Sequence, residues 1–205
     1  MARHTKKNKK RRGCVRFLFL LLVLLVLGGA AVSKFVLPVN ADKIVIPSWI
    51  KQEIIRVDGA SRTGKKTRRI KDIVVHYVGN PGTTAQENRD YFDSDQSTVS
   101  AHFVVGLDGE IIQCIPLSEQ SSASNNRNVD TISIEVCHPD ASGEFTVASY
   151  NATVKLCVWL CEQFGLDQND IIRHYDVTGK LCPKYYVEHP AAWAQFKEYV
   201  KERLE

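Results

Sequence analysis

The chain has 205 residues, 44% hydrophobic and 24% charged, which suffices for one globular domain with a core that needs no disulfide staples. Its formal net charge of +4 hides an asymmetry: residues 1–16 hold eight Lys or Arg and no acid, leaving 19 basic against 23 acidic residues in the rest. That balance argues against a nucleic-acid-binding surface, and six irregularly spaced cysteines do not make a disulfide framework.

In chain order, the basic tail 1–16 runs into residues 17–32, sixteen positions without a polar side chain. Extended through 37, the stretch reaches the roughly 20 residues that span a bilayer, with Lys34 able to snorkel at the outer edge. The expected arrangement is a single-pass signal anchor at 17–37, its tail in the cytoplasm and the rest across the membrane on the extracytoplasmic side. Gly29-Ala30-Ala31 offers a competing cleavage site, in which case the protein is secreted. Cys14 precedes the apolar run and so is not placed like a lipoprotein cysteine. Residues 38–70 read as a stalk and a basic loop leading into the first core strand.

Residues 71–205 then alternate strand and helix signals. Positions 73–78 read as a buried strand and 85–92 as a short helix. Strands at 102–107 and 110–115 flank Asp108-Gly109, a two-residue hairpin signal. In 132–136 the alternation places Ile132, Ile134 and Val136 on one face and Ser133 and Glu135 on the other. A helix follows at 151–164, capped by Gly165, with Cys157 and Cys161 on its core side. A last strand at 171–174 and an amphipathic helix at 191–204 complete the pattern. The expected fold is α/β: a single mixed central sheet flanked by helices, preceded by one N-terminal transmembrane helix.

His76 stands near the end of the first strand, and Arg173 to Pro183 contributes His174 and Cys182. Two imidazoles and a thiolate form a three-ligand zinc set that leaves a fourth position open, as in catalytic sites. On the residues alone, a buried histidine pair and a core cysteine explain the same letters. Likewise Glu135 reads as a solvent-facing strand residue, Lys180 as a loop cation, and His102 as a satisfied histidine. Cys137 and His138, before Pro139, mark the start of a loop.

Ile73-Val74-Val75-His76-Tyr77, Ser100-Ala101-His102-Phe103-Val104-Val105, Leu107-Asp108-Gly109-Glu110-Ile111, Thr131-Ile132-Ser133-Ile134-Glu135-Val136 and the segment His174 to Pro183 occur in one order over roughly residues 70–200. Together they resemble the zinc-dependent N-acetylmuramoyl-L-alanine amidases of type 2, related to phage lysozyme-type amidases and peptidoglycan-recognition proteins. The resemblance implies that His76, His174 and Cys182 bind Zn²⁺, that Lys180 lies near the scissile carbonyl, and that Glu135 is the general base. One branch of the family has Tyr before the His of the second motif. Ala101 stands there in this chain, which leaves proton transfer to Glu135.

The chemistry asks for the same inventory: zinc lowers the pKa of a bound water to about 7, a carboxylate takes its proton, and a cation meets the carbonyl oxygen. His102 is expected to offer the substrate a further donor. The implied substrate is the amide between N-acetylmuramic acid and L-alanine in peptidoglycan. Two other readings stay open: a non-catalytic peptidoglycan-binding module, and a thiol hydrolase with Cys182 as nucleophile and His174 as base. Oligomeric state has no signature in the sequence.

Overall fold

The computed structural model describes residues 39–57 and 60–205. The expected tail and membrane anchor at 1–16 and 17–37 lie outside the described residues, among which no helix is long and apolar enough to cross a membrane.

Residues Pro38–Glu205 form one compact unit. Its strands are β1 (Lys51–Gln52), β2 (Asp72–Tyr77), β3 (Phe103–Val105), β4 (Ile111–Gln113), β5 (Thr131–Val136) and β6 (Ile171–Arg173). They form one sheet in the order β1-β4-β3-β5-β2-β6. β2 runs parallel to both of its neighbours, β5 and β6; β3 is parallel to β5, β1 is parallel to β4, and β3 with β4 is antiparallel. The helices are α1 (Ala85–Phe92), α2 (Val147–Phe164), α3 (His174–Thr178), α4 (Lys184–Glu188) and α5 (Pro190–Leu204). The mixed α/β sheet expected from the sequence is the one observed.

Period-two alternation sorts the strands into two cores. Ile73 and Val75 of β2, Phe103 and Val105 of β3, and Ile132, Ile134 and Val136 of β5 pack with α2 and α5. Val104 and Ile112 instead share a second cluster with Ala85 and Phe92 of α1. The odd positions of β5, which include Ser133 and Glu135, therefore belong to the α1 side. Cys157 and Cys161 are buried free thiols in the α2 core, as their helical spacing predicts.

Three boundaries differ from expectation. α2 begins at Val147 because the Thr146 side chain caps the Ser149 amide; the apolar pattern is silent there, since Val147 is exposed. The β3–β4 turn is wider than two residues: the Gly106 amide bonds the Glu110 carbonyl, and Gly109 takes φ 86°. Glycine is needed at 109 on both counts, for a Cβ there would also meet the Ala148 carbonyl oxygen at 3.0 Å. Finally, the stretch 38–70 is no free stalk. Ile50, Ile55 and Ile70 are buried in the cores, and β1 extends the sheet beside β4, so this segment belongs to the domain.

Candidate functional site

The site forms where β2, β5 and β6 end. Register pairs His76 of β2 with Glu135 of β5, and parallel strands carry equivalent positions on one face, so both side chains emerge on the α1 side at the carboxyl edge of the sheet. β6 ends at Arg173, and His174 opens α3 instead of extending the strand. Asp176 fixes that start: its carboxylate accepts from the Arg173 amide at 2.8 Å and from the Arg173 guanidinium at 2.7 and 3.1 Å. α3 stops at Gly179, whose φ of 77° lets its amide bond the Tyr175 carbonyl. The chain then doubles back, and the Tyr175 amide bonds the Cys182 carbonyl at 2.9 Å, returning Cys182 to the helix start.

These local choices bring three ligand types together. One donor atom from each of His76, His174 and Cys182 lies within 4.8 Å of the others, and all three residues are buried. The imidazole centroids are 4.6 Å apart. Glu135 Oε1 lies 3.8 Å from His76 Nδ1. Glu135 Oε2 and His174 Nδ1 are buried without a hydrogen-bond partner. Buried polar atoms are normally paired, so two orphans at one spot mark a place built for something besides protein. Two nitrogens and a sulfur at this spacing fit Zn²⁺, which His76, His174 and Cys182 would hold.

Burial holds His76 well below the usual imidazole range, with His174 and Lys180 acting in the same direction. His174 is lowered by burial and then by Lys180. Neutral imidazoles keep a lone pair for a cation. Burial pushes the Glu135 carboxyl up to about 8 against the pull of Lys180. Burial, aided by Glu135, also pushes the Cys182 thiol up to about 12.

Exposed Lys180 lines the same cleft as Glu135 and the three candidate ligands, a space of about 560 Å³ that also takes in Tyr77, Asn80, Asn88 and Tyr91. An adjoining hollow of about 740 Å³ shares His174 and Lys180 and extends to Asn125 and Asn128. Five of the six residues singled out in the sequence thus converge.

His102 does not join them. It is fully buried, its Nε2 donates to the Glu119 carbonyl at 2.9 Å, and its Nδ1 accepts from the Ser133 amide at 3.0 Å. With both nitrogens used inside the fold, it has no donor to offer a substrate; it ties β5 to the 119 loop.

This arrangement has a measurable consequence. Burial lowers the His102 pKa from 6.5 to about 4, and the Glu119 carbonyl only partly offsets this. Between those values the unfolded chain binds a proton that the native chain refuses, so stability rises with pH there. The penalty is absent above pH 6.5, grows as pH falls through it, and levels off below about 4, totalling about 3 kcal/mol. Denaturant unfolding at a series of pH values is expected to show a shallower acid limb in His102→Gln than in the wild type. An identical limb would assign the effect to other groups.

Sequence reasoning missed two residues. Ser124 Oγ lies 3.3 Å from His76 Nε2, and Asn125 Oδ1 lies 3.1 Å from His174 Nε2. Their only signal was the run of Ser and Asn at 121–128, which reads as a loop and nothing more.

Comparison with known proteins gives a consistent picture. The family model for N-acetylmuramoyl-L-alanine amidase matches residues 66–185. N-acetylmuramoyl-L-alanine amidase BlyA of Bacillus subtilis (strain 168) is 35% identical over 171 residues, 73% of this chain and 46% of that protein. N-acetylmuramoyl-L-alanine amidase CwlL of Bacillus licheniformis is 30% identical over 172 residues, 76% of this chain and 47% of that protein. The chain spans about half the length of these curated relatives. Among solved structures, the catalytic domain of XlyA superposes with a TM-score of 0.65 at 27% identity, covering 74% of this chain and 98% of that one. A mutant endolysin from Bacillus subtilis gives 0.65 at 28% identity, covering 74% and 97%.

Proposed function

Because this chain belongs to the N-acetylmuramoyl-L-alanine amidase family, we propose that it is a zinc-dependent hydrolase of the amide between N-acetylmuramic acid and L-alanine in peptidoglycan. The observation that carries the proposal is the convergence of His76, His174 and Cys182 beside Glu135 at the floor of one cleft.

When bound, zinc supplies Lewis acidity toward a carbonyl oxygen and toward a water molecule. The chain supplies the rest. Burial keeps both imidazoles neutral and so able to ligate. Glu135, anchored on β5 with one oxygen unpartnered, takes the proton of the attacking water and returns it to the departing amine of L-alanine. Lys180, at the mouth, brings positive charge to the carbonyl oxygen as it becomes anionic. The cleft holds the muropeptide so that the amide lies between these groups.

We place the catalytic domain outside the cell membrane, held by residues 17–37 with the basic tail inside, or secreted where that segment is cleaved. The charge block followed by sixteen uninterrupted apolar residues supports this topology. The thiol-hydrolase alternative is separated by experiment: a thiol enzyme is stopped by an alkylating agent and ignores chelation, whereas a zinc enzyme loses activity with its metal. A binding-only module would have no use for a carboxylate beside a complete ligand set.

The deciding experiment digests purified peptidoglycan with the full-length chain, with and without a zinc chelator, and identifies new ends by mass spectrometry. Free L-alanine amino termini on intact glycan strands, lost on chelation and restored by zinc, are expected. Chelator-resistant release would overturn the zinc reading, and binding without release would overturn the enzyme.

A further inference from the structure

Asn125 is the one non-glycine residue with positive φ, 53°, among the described residues. Glycine adopts that conformation without penalty, whereas any side chain is disfavoured there, Asn least. Its side chain therefore needs a reason to be present, and its contacts give one. Oδ1 lies 3.1 Å from Nε2 of His174. An amide oxygen can only accept, so Nε2 carries the imidazole proton and Nδ1 keeps the lone pair. Nδ1 is the buried atom left without a partner.

The preceding residue approaches the other imidazole. Ser124 is fully buried, and its Oγ lies 3.3 Å from Nε2 of His76, the ring nitrogen away from Glu135. Asn128 holds both residues in place: its Oδ1 accepts from the amides of Ala123 and Ser124 at 3.1 and 2.6 Å, and its own amide donates to the Asn125 carbonyl at 3.2 Å. Two consecutive loop residues thus address the outer nitrogens of both imidazoles.

We infer that Asn125, seconded by Ser124, is a positioning residue of the metal centre, fixing the tautomer and ring orientation of His174 so that Nδ1 faces the cation. The inference rests on the zinc reading given above. The left-handed backbone is what lets the Asn125 side chain reach inward from the loop; a glycine would fit the turn and leave His174 unguided.

That contrast supplies the test. Zinc affinity of the full-length wild type, N125G and N125D is measured by competition with a chelating dye, and thermal unfolding is recorded without metal. N125G is expected to bind zinc about 10- to 100-fold more weakly, with a metal-free Tm no lower than the wild type because glycine suits φ 53°. N125D keeps an acceptor and tolerates the same backbone, so it is expected to bind as the wild type does. Wild-type affinity in N125G, or equal losses in both variants, would overturn the inference. A lowered metal-free Tm accompanying the loss in N125G would assign Asn125 to the fold instead. A wild-type chain that takes up no zinc would overturn the underlying reading, and this inference with it.

Discussion

Exchange of Glu135 for Gln is expected to lower peptidoglycan turnover by about 10²- to 10⁴-fold, the range typical of general acid–base catalysis, while zinc content stays at the wild-type level. Gln matches Glu in size, so packing along β5 is preserved; what is lost is the proton-accepting oxygen. The carboxylate is not among the three residues whose donor atoms cluster, which is why metal retention and turnover should separate. The half-buried side chain has no ion-pair partner at hydrogen-bond distance, so an amide of the same size should leave thermal stability near that of the wild type. Unchanged turnover would sink the assignment of Glu135 as base. Loss of zinc together with activity would mean that the carboxylate helps to hold the metal.

Removal of a ligand should give the opposite pattern. In Cys182→Ala, zinc binding and activity are expected to fall together to background, and added zinc is expected not to restore them. The fold itself should survive, because the sheet and both hydrophobic clusters form without Cys182. A second readout checks this independently of activity. A ligand that binds only the native state raises its stability by RT ln(1 + [L]/Kd), about 2.7 kcal/mol at one hundred times Kd. Saturating zinc is therefore expected to raise the Tm of the wild type and to leave that of C182A unmoved. A zinc-dependent Tm shift that persists in C182A would show that the cysteine is not a ligand.

The sheet was readable because strands announce themselves by alternation. Thr131 to Val136 divides its side chains between two faces in sequence just as it does in the fold, and the apolar run at 73–75 reads as interior. The candidate ligands were readable only through the ordered motifs, since two histidines and a cysteine far apart say nothing alone about proximity. Pairing of His76 with Glu135 depends on which strands become neighbours and in what register, and neither is written in local periodicity. His102 was misread because a histidine whose nitrogens meet a backbone carbonyl and a backbone amide has the same spelling as one that faces a substrate. β1 was missed because two residues have no period to detect. The role of Asn125 lies in one backbone angle, which an Asn-rich loop permits without specifying.

The order of strands across the sheet also fixes an order in time. β2, which carries His76, is completed on one side by β5 and on the other by β6, so Ile73 waits for Ile171. Such long-range pairings make the entropic cost of ordering fall due before the contacts that offset it. Ribosomal synthesis delivers residues from the N-terminus onward, and two of the three clustered ligands, His174 and Cys182, lie far downstream of His76. A growing polypeptide therefore carries a first histidine with nothing beside it, and a truncated one never assembles the centre. The ligand cluster is therefore withheld until the sheet is complete, and a copy that stops short of β6 has no cluster to assemble.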